Sequence, residues 1–232
     1  MTERELKPLG SFTQAERDAV YRAIYERRDV RGEFLDRDVP RELIHRIISA
    51  AHHAPSVGLM QPWNFILIRN IETRERVQTA FKRAAALEEQ EIADEKRALY
   101  RNLKLEGILR APLNICVTCD RARFGATGLG RTLQPDTDLF STACAVQNLW
   151  LAARAEGVGV GWVSILRPDE VKAILEIPER IVLIAYLCVG FIEQSYDRPE
   201  LEVKHWAERL PLEEMIYEER WGLSAAQRSG AP

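Results

Sequence analysis

No stretch of this 232-residue chain approaches the roughly 20 consecutive apolar residues that a membrane-spanning helix requires. Its longest apolar run, residues 181–192 (IVLIAYLCVGFI), is far shorter and reads as a buried strand. A charge excess is missing too: 32 Lys and Arg against 35 Asp and Glu leave a formal net charge of -3. No global field draws the chain to nucleic acid or to an anionic membrane, so any anion site must be local. The opening MTERELKPLG carries neither an apolar core nor a small-residue cleavage site, which argues against a secretory signal and for the cytoplasm. Repeats and low-complexity tracts are absent, and 46% hydrophobic with 29% charged is ordinary for a globular chain, so 1–232 is read as one domain.

Cysteine is sparse. Cys116, Cys119, Cys144 and Cys188 each sit in apolar segments, the habit of free thiols in a reducing compartment. Cys116 and Cys119 have C-x-x-C spacing, but on a segment that reads as a strand. Residues three apart on a strand face opposite ways, and no helix N-terminus lowers a thiol pKa there, so no redox role is expected. His52 and His53 are neighbours on a helical segment and diverge by about 100°. No carboxylate stands at helical spacing from both, and no metal is expected.

What the chain does have is Arg27-Arg28-Asp29-Val30-Arg31, three guanidiniums within five residues, interrupted by an acid. Arginine's planar fork suits phosphate, so the cluster reads as an anion seat; the plainer alternative is a helix end whose arginines complement the helix dipole. Before it, Thr13-Gln14-Ala15-Glu16 is a capping box opening a helix to about Glu26. After it, Pro40 suits the first position of a helix running to Ala54-Pro55, with Leu43, Ile44, Ile47, Ile48 and Ala51 on one face. Residues 63–69 read as a strand and 72–110 as a long charged helical region, one helix or two. Its middle has few apolar anchors, so it is either a solvated excursion or a lid over a ligand, about 84–110.

A second strand (113–118), a Gly- and Arg-rich loop (121–135) and a helix over 138–155 follow. That helix is apolar on nearly every side and needs cover all round, either by the sheet plus other helices or by a partner subunit, and it is expected at a dimer core. Gly157-Val158-Gly159-Val160-Gly161 follows a helix and precedes a strand (158–165), the reverse of a dinucleotide turn; Gly157 fits a helix C-cap. A short helix (169–175), a core strand (181–190), an extended arm (197–223) and a disordered end (224–232) complete an α+β reading with helices around one sheet.

Four motifs in this order resemble the flavin-dependent nitroreductase superfamily: Arg27-Arg28-x-x-Arg31, Ala54-Pro55-Ser56 through Gln61-Pro62-Trp63-Asn64-Phe65, the strand from Gly159 to Ile165, and Arg209-Leu210-Pro211-Leu212. The resemblance implies a mixed sheet wrapped by helices and an obligate homodimer with FMN at its interface. It implies that Arg27, Arg28, Arg31 and Arg209 grip the phosphate end, with Val30, Pro55, Ser56 and Met60 beside the cofactor. Two positions depart from the common pattern: Asp29 replaces a serine and Leu59 a flavin-binding asparagine. With Gly161-Trp162-Val163-Ser164 and Gly130-Arg131-Thr132-Leu133-Gln134-Pro135, they resemble the branch that fragments its own reduced FMN with dioxygen, yielding 5,6-dimethylbenzimidazole, the lower ligand of cobalamin.

In that branch Asp29 is the candidate general base, or else an ion-pair partner of the arginines. Ser164 is the candidate donor toward the flavin's central nitrogen, or else a strand hydroxyl bonded to backbone. Leu103, in the lid, is placed near the ring. NAD(P)H is a candidate indirect reductant, and a separate flavin reductase a candidate partner. An ordinary NAD(P)H-dependent nitro- or quinone reductase, and a flavin carrier without turnover, share the phosphate contacts and stand as the alternatives.

Overall fold

The computed structural model describes residues 9–222 apart from 124, 126 and 127, so the disorder expected of 224–232 lies outside the described residues. Helix α1 (Gln14–Glu26) starts at the expected capping box: Glu16 N donates to Thr13 Oγ1, and Thr13 N donates to the Glu16 carboxylate at 2.7 Å. None of its residues is buried. Helix α2 (Arg41–His52) begins one residue later than expected, because Pro40 keeps an extended ψ of 146° and serves as the N-cap.

Four strands follow: β1 (Trp63–Ile68), β2 (Leu113–Cys119), β3 (Val158–Trp162) and β4 (Val182–Phe191), in the spatial order β1-β2-β4-β3. Every neighbouring pair is antiparallel, which corrects the expectation of a mixed sheet. The parallel component shrinks to one bridge, Asp29 to Val160, because the chain bends away at Gly32 after aligning with β3 for a single residue.

Strand alternation divides the core in two. Leu113, Ile115 and Val117 of β2, with Ala185, Leu187 and Val189 of β4, pack against α2 and helix α5 (Thr137–Ala155). Cys116, Tyr186 and Cys188 face the other way, onto helix α3 (Ile71–Glu91) and helix α6 (Pro168–Ile174). Burial pushes the Cys116 thiol up to about 12, leaving it protonated and unreactive at neutral pH.

The long helical region divides at Ile92 and Ala93, both extended, and helix α4 (Asp94–Arg101) folds back. Arg97 secures the corner by donating to the carbonyls of Glu89 and Ile92. Tyr100 of α4 is buried and lies beside Trp206 of the C-terminal arm, ring centroids 6.3 Å apart. The arm includes helix α7 (Glu200–Val203). Helix α5 leaves Phe140, Ala143 and Cys144 exposed, and α1 exposes Val20, Tyr21, Ile24 and Tyr25.

Candidate active site

The arginine segment is held against the outer edge of β3. Val30 N donates to Val160 O at 3.0 Å, Trp162 N donates to Asp29 Oδ1 at 2.9 Å, and Trp150 Nε1 donates to Arg28 O at 3.2 Å. Room for this approach comes from the glycines of β3. A Cβ on Gly161 would stand 1.9 Å from Val30 O, and one on Gly159 would stand 3.0 Å from Val30 Cγ2. The glycine row that resembles a nucleotide loop is thus a close-packing surface for the site segment. Gly157, at φ +73°, ends α5 as expected.

Arg27, Arg28, Arg31 and Arg209 converge on one cavity of about 730 Å³, with Asp29 and Glu200 on its wall. Arg27 lies over the Trp150 ring, 4.6 Å from its centroid, and its Nε is buried without a partner among the described residues. Burial pulls its guanidinium pKa down, and neighbouring Arg28 and Arg209 add to that against the pull of Asp29. Crowded cations with an unused buried donor suit a phosphate.

Asp29 is fixed at both oxygens: Arg31 donates to Oδ2 at 2.7 Å while Trp162 N holds Oδ1. Its remaining exposure opens onto the cavity. Burial pushes the carboxyl above the ordinary carboxylate range, outweighing Arg31, the Trp162 amide and Arg27. On the far side of Arg31 stands Glu200, its Oε2 3.7 Å from Arg31 Nη1. This carboxylate escaped the reading of the sequence, since one glutamate in a charged, proline-punctuated tail carries no periodic or motif signal. The short helix after Pro199 aims it inward.

Arg28 is placed differently from its neighbours. Its Nη1 donates to the carbonyls of Tyr25 and Arg27 at 2.8 Å each, its Nε to Tyr196 O at 3.0 Å, and its Nη2 to Asp197 O. It therefore ties the end of α1 to the start of the C-terminal arm. Arg28→Ala is expected to release that arm and speed tryptic cleavage after Lys204 about tenfold, the scale of one or two charged hydrogen bonds. Cleavage at the wild-type rate would show that the arm is held elsewhere.

The remaining candidates lie in other places. Val30 is buried and lines a smaller cavity of about 140 Å³ beside Trp150 and Gly159. Pro55 and Ser56 precede a 3₁₀ turn (Val57–Leu59) whose Val57 N donates to Ser141 Oγ, near the start of α5. Met60 is buried there, against Gly128. The arginines instead flank Trp150, about 14 Å further along α5 at 1.5 Å per residue. Within a single chain the two groups are not brought together. Leu103 lines a neighbouring cavity of about 490 Å³ that shares Arg31. Ser164 is exposed and falls beyond β3, which ends at Trp162 and not at Ile165, because Leu166 N turns back onto Ser164 O at 2.8 Å.

Comparison with known proteins bears on the fold and the family. The nitroreductase family model matches residues 24–191. A 5,6-dimethylbenzimidazole synthase of Rhodospirillum rubrum is 39% identical over 200 residues, covering 86% of this chain and 94% of that one. A second, from Rhodobacter capsulatus, is 39% identical over 203 residues, covering 88% and 98%. Among solved structures, a BluB-like flavoprotein of Clostridium difficile 630 superposes with a TM-score of 0.65 at 21% identity, over 87% of this chain and 99% of that one. With its helix-wrapped four-stranded sheet and the matched span running from the last turn of α1 through β4, the chain belongs to the nitroreductase family.

Proposed function

We propose that this oxidoreductase is a 5,6-dimethylbenzimidazole synthase that consumes reduced FMN and dioxygen. The observation that carries this reading is Asp29, a carboxylate held by two donors on the wall of a cavity onto which four guanidiniums converge. Binding a phosphate alone asks for no acid in that position, and placing one there is costly unless it takes part in the chemistry. The similarity to the two synthases supports the same substrate.

The donor set fits FMN: the cavity is large enough, and the buried Nε atoms of Arg27 and Arg31 have no partner among the described residues. Reduced FMN, when bound, supplies the electrons for dioxygen and the carbon skeleton of the product. Arg27 and Arg209 hold its phosphate end and Arg31 the adjoining part of the molecule, while Arg28 keeps the arm in place. Asp29 takes up a proton at its carboxylate, and the pKa raised by burial makes it a stronger base than an exposed aspartate. Ser164 donates a hydrogen bond toward the ring, and Leu103 helps to exclude water.

A second copy of the chain completes the site. The exposed apolar residues of α1 and α5, together with Leu210, Leu212, Ile216 and Trp221 of the arm, form the surface for it. A two-fold axis beside α5 brings Pro55, Ser56 and Met60 of one copy to the arginines of the other. Light scattering at micromolar concentration should give a dimer, and a stable monomer would defeat this arrangement. The site suits a reducing cytoplasm, with reduced FMN delivered by a separate NAD(P)H-dependent flavin reductase.

The test is to mix the purified protein with reduced FMN and air and search for 5,6-dimethylbenzimidazole by mass. Its appearance with loss of flavin supports the synthase. Quantitative return of intact FMN, with turnover of a nitroarene by NAD(P)H, would assign the chain to ordinary nitroreductase chemistry instead.

A further inference from the structure

Two buried polar atoms on the cavity wall, one on Glu200 and one on Arg31, have no hydrogen-bond partner among the described residues. Glu200 has only 4% of its side chain exposed, and its Oε1 has no hydrogen-bond partner. Arg31 sits next to it, with Nη1 facing Glu200 Oε2 at 3.7 Å, and Arg31 Nε is likewise buried and unpaired. Both residues line the cavity of about 730 Å³. The position of Glu200 is fixed by its surroundings: Pro199 starts its short helix, Lys204 N donates to Glu200 O at 2.8 Å, and Arg28 clamps the preceding carbonyls of Tyr196 and Asp197.

An unused acceptor beside an unused donor is poorly served by phosphate, which accepts but, when fully ionised, does not donate. A carboxylate also repels phosphate. A hydroxyl does both jobs, accepting from the guanidinium while donating to the carboxylate. A desolvated carboxylate left without a donor is costly, so the pair gains most when such a group arrives.

We propose that Glu200 and Arg31 form a hydroxyl-recognition pair that binds the polyol chain of the flavin nucleotide. This rests on FMN being the ligand of the cavity, and it assigns Glu200 a contact with the chain between phosphate and ring. Glu200 thereby distinguishes a flavin nucleotide from other phosphorylated aromatic ligands.

The experiment compares oxidised FMN with an analogue that has an unsubstituted pentyl chain between ring and phosphate, measuring both affinities by flavin fluorescence. Wild type should prefer FMN. In Glu200→Ala that preference should shrink about tenfold, the scale of one charge-assisted hydrogen bond, with the analogue's affinity little changed. Glu200→Gln keeps a neutral acceptor and should fall between the two. Because each preference is a ratio within one protein, general loosening of the site does not imitate it. An equal loss for both ligands, or an unchanged preference, would overturn the pair. If wild type binds FMN without preferring it to the analogue, only the pair falls; if wild type binds no FMN, the functional reading falls and the pair with it.

Discussion

Asparagine at position 29 is expected to reduce benzimidazole formation by about 10²–10⁴, the usual cost of removing a general base, while FMN remains bound. The structure sharpens this expectation. Asp29 receives hydrogen bonds from two donors, Trp162 N and Arg31 Nη2, so an asparagine must turn its own donor toward one of them. The lost contact costs about 1–3 kcal/mol of local stability, visible as a lower melting temperature. A surface ion pair is worth only about 0–1 kcal/mol and offers no route to a rate loss of that size.

The pH profile provides a second readout. Burial raises the Asp29 pKa above the ordinary carboxylate range, so wild-type activity should fall as the pH drops through that raised value, and the acid limb should vanish in Asp29→Asn. The sign for stability is fixed by the same shift: folding disfavours the charged form, so ionising Asp29 with rising pH costs stability and protonating it restores that stability. Wild-type product formation by Asp29→Asn would reduce Asp29 to an ion-pair partner of Arg31.

Alanine at position 161 should be nearly as damaging, with no chemical group removed. Its Cβ would stand 1.9 Å from the Val30 carbonyl oxygen, a backbone atom with no rotamer to escape into. Overpacking of this kind costs about 1–3 kcal/mol, and the rigid neighbour places this case at the upper end. The alternative to paying that cost is detachment of the segment that carries Arg27, Asp29 and Arg31, so FMN affinity should fall at least tenfold as the melting temperature drops. Gly159→Ala is the control. There the nearest atoms are the tips of Ile192 and Val30, which can shift, so the loss should be smaller. Wild-type FMN affinity in Gly161→Ala would mean that the site segment is not seated on β3.

Much of this was legible in the residues, because the signals were local. The capping box at Thr13, the strand over 113–118 and the dense arginines each depend on neighbours in sequence. Partnerships across the fold were hidden. Arg28 looks identical to Arg27 in the chain, yet one serves backbone carbonyls 168 and 169 residues away while the other lies on Trp150. Glu200 acquires its role only because Pro199 and the arm turn it toward Arg31. The strand carrying Gly161 stops short of Ser164 because the backbone folds back at Leu166, which β-favouring side chains around it do not announce.

The seat of Asp29 also has a consequence for solubility. Strand β3 is an outermost strand, and such edges invite pairing with other chains. Here two of its outward-facing groups, Val160 O and Trp162 N, are taken by Val30 N and by the Asp29 carboxylate. The segment proposed to grip the cofactor is therefore also the sheath of the sheet. Flavin depletion, or any substitution that frees this segment, should expose a sticky edge, and apo protein should aggregate faster than holo protein at equal concentration.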